Sequence, residues 1–128
     1  MRLLLDTCTF LWVVAGSKEL STNARAVFSD PGNDVFLSSA SVWEIVVKHQ
    51  LGKLPLPGSP EAFVVGNRQA HGIAPLPIDE ESVLHLARLP DFHRDPFDRM
   101  LVCQAIAHGL TVLTPDESVR RYPIRTAW

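Results

Sequence analysis

Four acidic residues stand where the local pattern of the chain changes. Asp6 directly follows Leu3-Leu4-Leu5, Glu44 follows Ser41-Val42-Trp43, Asp98 follows Asp95-Pro96-Phe97, and Asp116 follows Leu113-Thr114-Pro115. No cysteine or histidine lies at ligand spacing among them, so a metal set built from these residues is all oxygen and suits Mg²⁺ or Mn²⁺ rather than softer ions. A hard cation held by one or two carboxylates, with the others acting through water, can clamp a phosphate and activate a water for in-line attack. Phosphodiester hydrolysis is the reaction such a set suits best.

Acids so distant in the chain meet only if the fold gathers them. Leu3–Leu5 and Val35–Leu37 are short, wholly apolar runs, as expected of strands covered on both faces, and Ile73–Ile78 and Thr111–Leu113 read as two more. Helical stretches are expected at Thr9–Val14, Ser21–Phe28, Val42–Leu51, Pro60–Ala70, Glu80–Leu89 and Pro96–His108, with Ser59-Pro60 as a start signal and Gly52, Gly72 and Gly109 as stop signals. Strands alternating with helices imply an α/β fold with a mostly parallel sheet. In such a sheet, ligands bind beyond the strand C-termini, where Asp6, Glu44, Asp98 and Asp116 all fall.

Helix capping is the competing account of the same residues. Ser41 to Glu44 fits a capping box, Thr114 to Glu117 has the same form, and Asp95 before Pro96 suits an N-cap. Capping would explain Glu44, Asp95, Asp98 and Glu117 taken singly. Asp6 resists it, because a carboxylate directly after a fully apolar strand is partly buried and needs a cation or several N–H donors.

Composition narrows the alternatives. The 128 residues carry 12 Lys+Arg against 14 Asp+Glu, a formal net charge of −2, with 46% hydrophobic and 20% charged residues. This balance suits one globular domain over residues 1–128 and excludes a polycationic nucleic-acid binder. Asp6 interrupts the apolar opening run, so neither a signal peptide nor a membrane span is expected, and a cytoplasmic location is. Cys8 and Cys103 are too few for a disulfide framework, and no CxxC spacing suggests zinc.

Leu3-Leu4-Leu5-Asp6-Thr7, Ser41-Val42-Trp43-Glu44-Ile45, Asp95-Pro96-Phe97-Asp98-Arg99-Met100-Leu101-Val102 with Ala105, and Leu113-Thr114-Pro115-Asp116 occur in the order of the four motifs of PIN-domain ribonucleases. The chain resembles that family over nearly its whole length, and most of all the VapC-like toxins of bacterial toxin–antitoxin pairs. The resemblance implies a three-layer PIN-like fold, with a central mostly parallel sheet flanked by helices. It implies Asp6, Glu44, Asp98 and Asp116 as a catalytic quartet, with Asp6 and Asp98 as direct ligands of Mg²⁺, or of Mn²⁺ in its place. An RNA substrate, a homodimer and an inhibitory antitoxin in the active-site groove are implied as well. Many relatives carry Asn or Ser where this chain has Cys8, which is expected to be packing.

Positive charge for RNA must lie around such a pocket. Arg94 and Arg99 flank the third motif, Arg120, Arg121 and Arg125 follow the fourth, and Thr7 and Thr114 adjoin Asp6 and Asp116 as further candidate substrate contacts. Asp95 is expected to cap a helix, with a place in the site as the alternative. His93 precedes the third motif and is the one histidine placed to approach substrate. Trp43 is expected in the core. The other readings are an aspartate-nucleophile phosphatase, disfavoured because Asp6-Thr7-Cys8 lacks a second acid, a phospho-receiver module, and an inactive PIN-fold binding module.

Overall fold

The computed structural model describes all 128 residues. Strand β1 (Arg2–Leu5) is followed by α1 (Thr7–Ala15) and α2 (Thr22–Ser29), then β2 (Asp34–Ser38), α3 (Ser39–Gln50), α4 (Pro60–Ala70) and β3 (Ile73–Leu76). The second half runs α5 (Glu80–Leu84), a 3-10 turn (His85–Arg88), α6 (Pro96–His108), β4 (Thr111–Leu113), α7 (Glu117–Arg120) and β5 (Arg125–Ala127). The sheet has the order β3-β2-β1-β4-β5 and every pairing is parallel.

Strand β1 is the centre of this sheet, and Leu3, Leu4 and Leu5 are each fully buried. Alternation of side chains divides them between two cores. Leu3 and Leu5 join Phe10, Val13, Leu37, Ile45 and Val64 on one face, while Leu4 joins Leu101, Val102, Ala105, Val112 and Tyr122 on the other. Helices thus cover both faces and make three layers. The register sets Leu5 beside Leu37 of β2 and Leu113 of β4, so β1 and β4 end level and β2 runs one residue further. The chain winds outward in one direction through β2 and β3 and in the other through β4 and β5, which opens a crevice between the ends of β1 and β4.

Several expected boundaries move, each for a local reason. Helix α3 starts at Ser39, because Ser38 caps it by accepting from the Ala40 N–H at 3.0 Å. The capping box expected from Ser41 to Glu44 is therefore absent: Ser41 lies inside the helix, its buried hydroxyl without a protein partner. The expected helix Glu80–Leu89 ends as a 3-10 turn before Pro90, which disfavours helical backbone at Leu89. Asp79 caps α5 and pairs with His108 at 2.9 Å, and this contact with His108 holds the Asp79 carboxyl well below the usual range. Helix α6 runs as expected and stops at Gly109, whose φ of 65° is in the left-handed region that favours glycine. Helix α7 was signalled only by the capping box expected at Thr114 to Glu117, and the edge strand β5 was not anticipated.

Phe10 is fully buried and meets Phe63 edge-on at 6.4 Å between centroids. Phe10→Ala is expected to cost about 3–5 kcal/mol of stability through lost burial and the cavity left behind, measured by denaturant unfolding.

Candidate active site

Five carboxylates converge at the crevice. Asp6, Glu44, Asp95, Asp98 and Asp116 line one cavity of about 150 Å³ together with Thr7, Cys8 and Lys48. Asp6 extends from the end of β1 as the N-cap of α1, its Oδ1 accepting from the Thr9 N–H at 2.8 Å. An amide opening α1 therefore does cap onto Asp6, but it occupies only one oxygen. The other accepts from Thr114 Oγ1 at 2.5 Å, which ties the end of β4 to the end of β1. Thr114 in turn accepts from the Asp116 N–H at 3.0 Å, and Asp116 caps α7 by accepting from the Ser118 N–H at 2.8 Å. Asp116, not Thr114, is thus the cap.

Glu44 is buried within α3, where Thr7 Oγ1 donates to Oε1 at 2.6 Å and Lys48 Nζ to Oε2 at 2.5 Å. Asp95 Oδ1 caps α6, accepting from the N–H groups of Phe97 at 2.9 Å and Asp98 at 3.1 Å, and Asp95 also borders the cavity. Both accounts of Asp95 are met by one side chain.

Burial pushes the Asp98 carboxyl up to about 7, aided by the negative charges of Asp95, Asp6, Asp116 and Glu44. Burial also raises Asp6, against the opposing hydrogen bonds from Thr114 and Thr9. The same order of causes applies to Cys8. Its thiol is raised by burial and by Asp6 and Glu44, which withholds the reactive thiolate although the residue is exposed at the cavity wall rather than packed.

The PIN domain family matches residues 3–124. The chain belongs to the PIN domain family. Ribonuclease VapC16 of Mycobacterium tuberculosis is 38% identical over 61 residues, which make up 48% of this chain and 43% of that protein, so the match spans less than half of either. Two solved structures are similar along nearly their full length. VapBC2 from Rickettsia felis, bound to a DNA fragment from its promoter, has a TM-score of 0.73 at 13% identity and covers 99% of this chain and 98% of its own. DNA-bound VapBC from Salmonella typhimurium has a TM-score of 0.69 at 23% identity, with 99% and 97% covered. At those identities the likeness is one of fold.

In this PIN domain, several residues expected to meet substrate are engaged elsewhere. Arg99 Nη1 shares its two protons among the carbonyls of Pro90 and His93 and the Tyr122 hydroxyl, at 3.0–3.2 Å, and so braces the loop before α6. Thr7 and Thr114 direct their hydroxyl protons to Glu44 and Asp6. Arg94 is exposed beside Asp95, while Arg121 stacks on Phe92 at 4.7 Å and Arg120 lies 3.9 Å from Glu117. Trp43 is 58% exposed instead of buried, and packs edge-on against Phe97 at 5.0 Å. Lys48 was not anticipated, yet it is the cation on the cavity wall; its signal was the Glu44–Lys48 spacing of four on one helix.

The residues fit a hard cation by their chemistry. The donors are carboxylates gathered from four parts of the chain, and burial, with their mutual repulsion added, holds Asp98 partly protonated near neutrality. No three of them already stand close enough to grip an ion together, an arrangement that limits the repulsion between like charges.

The raised Asp98 sets the sign of a pH effect. Its carboxyl moves from 3.8 to about 7 on folding, so between those values the folded chain carries a proton that the unfolded chain has lost. Stability is therefore greatest below the lower value and falls as pH rises through the upper. Denaturant unfolding without metal should show a loss between pH 5 and pH 8, and Asp98→Asn should flatten that slope. An equal slope in both proteins contradicts the assignment.

Proposed function

We propose that this PIN domain is a divalent-metal-dependent endoribonuclease and the toxin member of a toxin–antitoxin pair. The observation that carries this reading is the meeting of Asp6, Glu44, Asp98 and Asp116 in one cavity at the ends of β1 and β4. The similarity to ribonuclease VapC16 supports RNA as substrate, and the likeness to VapBC assemblies supports an antitoxin partner; a homodimer is proposed on the family resemblance alone.

Asp6 and Asp98 are the residues that would hold Mg²⁺, or Mn²⁺ in its place. Once bound, the ion supplies the positive charge that a phosphodiester and its attacking water require. The chain does the positioning. Thr9 and Thr114 fix both oxygens of Asp6, so this carboxylate needs little reorganisation to act. Thr7 and Lys48 hold Glu44, which acts through its charge and through water. Asp116 is anchored by one oxygen to Ser118, leaving the other to orient water. Lys48, with its side chain 46% exposed, leans over the cavity and can turn to a phosphate oxygen as the acids accept their cation. Arg94, exposed beside the third motif, extends that contact outward.

Cleavage of defined RNAs by the chain freed of antitoxin should require Mg²⁺, and Asp6→Asn should lower the rate at least about 100-fold, or about 2.7 kcal/mol on the barrier. Asparagine caps helices about as well as aspartate, so Asp95→Asn should leave α6 intact and activity largely preserved, whereas Asp98→Asn should abolish it. Equal cleavage by wild type and Asp6→Asn sinks the reading, and the reverse result at Asp95 and Asp98 reverses their roles.

Lys48→Met should act mainly on substrate binding. The expected result is a KM raised about 5- to 10-fold, roughly 1 to 1.4 kcal/mol, with a shallower dependence on salt. A lowered kcat with unchanged KM would instead place Lys48 only in the support of Glu44.

A further inference from the structure

His93 lies in the loop before α6 with a buried ring nitrogen, Nε2, that makes no hydrogen bond. Its other nitrogen, Nδ1, is 2.9 Å from the hydroxyl of Tyr122, a residue only 3% exposed. That same hydroxyl receives Arg99 Nη1 at 3.0 Å. Asp98 Oδ2 lies 3.5 Å from Nε2.

The direction of every proton in this chain follows from what each group can do. A guanidinium only donates, so the Tyr122 oxygen accepts from Arg99. The hydroxyl has a single proton, and His93 Nδ1 is the partner at hydrogen-bond distance that can receive it. Nδ1 is then the bare nitrogen of the ring, and a neutral imidazole must carry its proton on Nε2. The opposite arrangement, with the proton on Nδ1, would give the Tyr122 oxygen two donors and leave its own buried proton without an acceptor, which is costly.

We propose that Arg99, Tyr122 and His93 form a one-way series of hydrogen bonds that makes His93 Nε2–H a donor to Asp98 and orients that carboxylate toward the divalent cation. The inference rests on the metal reading above. His93 is a positioning residue, acting on the cation only through Asp98. The separation of 3.5 Å is long for a finished hydrogen bond and leaves a short movement by which Asp98 engages the donor when the acids gather. Arg99 thereby has a function although it does not face substrate: its guanidinium fixes both the loop that carries His93 and the proton order that makes the ring a donor. Groups behind a ligand that set its tautomer and orientation typically change metal affinity 10- to 100-fold when removed.

The test uses two readouts that do not depend on RNA cleavage. Imidazole ¹⁵N spectra of the metal-free chain at pH 8, with His93 assigned by its loss in His93→Gln, should show the proton on Nε2. Tyr122→Phe, which keeps the ring and deletes the hydroxyl, should mix the two tautomers. Mn²⁺ titration by calorimetry should show affinity reduced about 10-fold or more in His93→Phe and in Tyr122→Phe. His93→Gln keeps an amide donor and should stay within about 3-fold of wild type, and circular dichroism checks that each variant folds. A proton found on Nδ1, or wild-type Mn²⁺ affinity in both His93→Phe and Tyr122→Phe, overturns the proposal. Failure of wild type itself to take up Mn²⁺ overturns the metal reading instead, and the tautomer spectrum then decides separately whether His93 donates to Asp98.

Discussion

The complete burial of Leu3, Leu4 and Leu5 in β1 is the constraint on which the site depends. A strand covered on both faces has no room for a charge along its length, so its one functional acid must come at its end. There Asp6 finds two kinds of donor, the first amides of α1 and the hydroxyl of Thr114 from β4. The parallel register with β4 brings Thr114 to that point, because Leu5 and Leu113 end level. Packing in two hydrophobic cores thereby fixes a polar atom to within hydrogen-bond distance of a strand remote from it in sequence.

The acids gathered around Asp6 oppose this stability locally. Each is held by a specific donor: Thr9 and Thr114 for Asp6, Thr7 and Lys48 for Glu44, the α6 amides for Asp95, and the α7 amides for Asp116. Asp98 alone lacks a short hydrogen bond, and it is Asp98 that shifts furthest upward. The cost of burial and of like charges is thus concentrated on one carboxyl while the others stay anchored. A net charge of −2 for the whole chain hides this concentration entirely.

Much of the arrangement was legible in the sequence because both of its periods are simple. The apolar triplets at Leu3–Leu5 and Val35–Leu37 mark buried parallel strands, and Pro96 with Gly109 brackets α6. The positions of the acids after those strands then follow from topology. Strand β5 was not legible: three residues, Arg125 to Ala127, with an exposed arginine and no apolar run, form a strand only because β4 offers an edge. The cap of α3 was placed at Ser41 in place of Ser38, since the two serines offer the same chemistry three residues apart and only the length of β2 decides between them. Trp43 was misplaced because composition does not reveal on which side of α3 a residue falls. Arg99 was misread for a related reason, since proximity in sequence to Asp98 says nothing about the loop carbonyls that capture its guanidinium.

The hydrogen bond between Thr114 and Asp6 closes a span of 108 residues. Contacts of such sequence separation form late, after the intervening helices and strands have collapsed, because the loop they close must be ordered first. A nascent chain emerging from the ribosome exposes Asp6 and Glu44 long before Asp98 and Asp116 exist to join them. The acid cluster is therefore assembled only after Asp116 has been made, and the order of the motifs along the chain acts as a timer that keeps them apart until then.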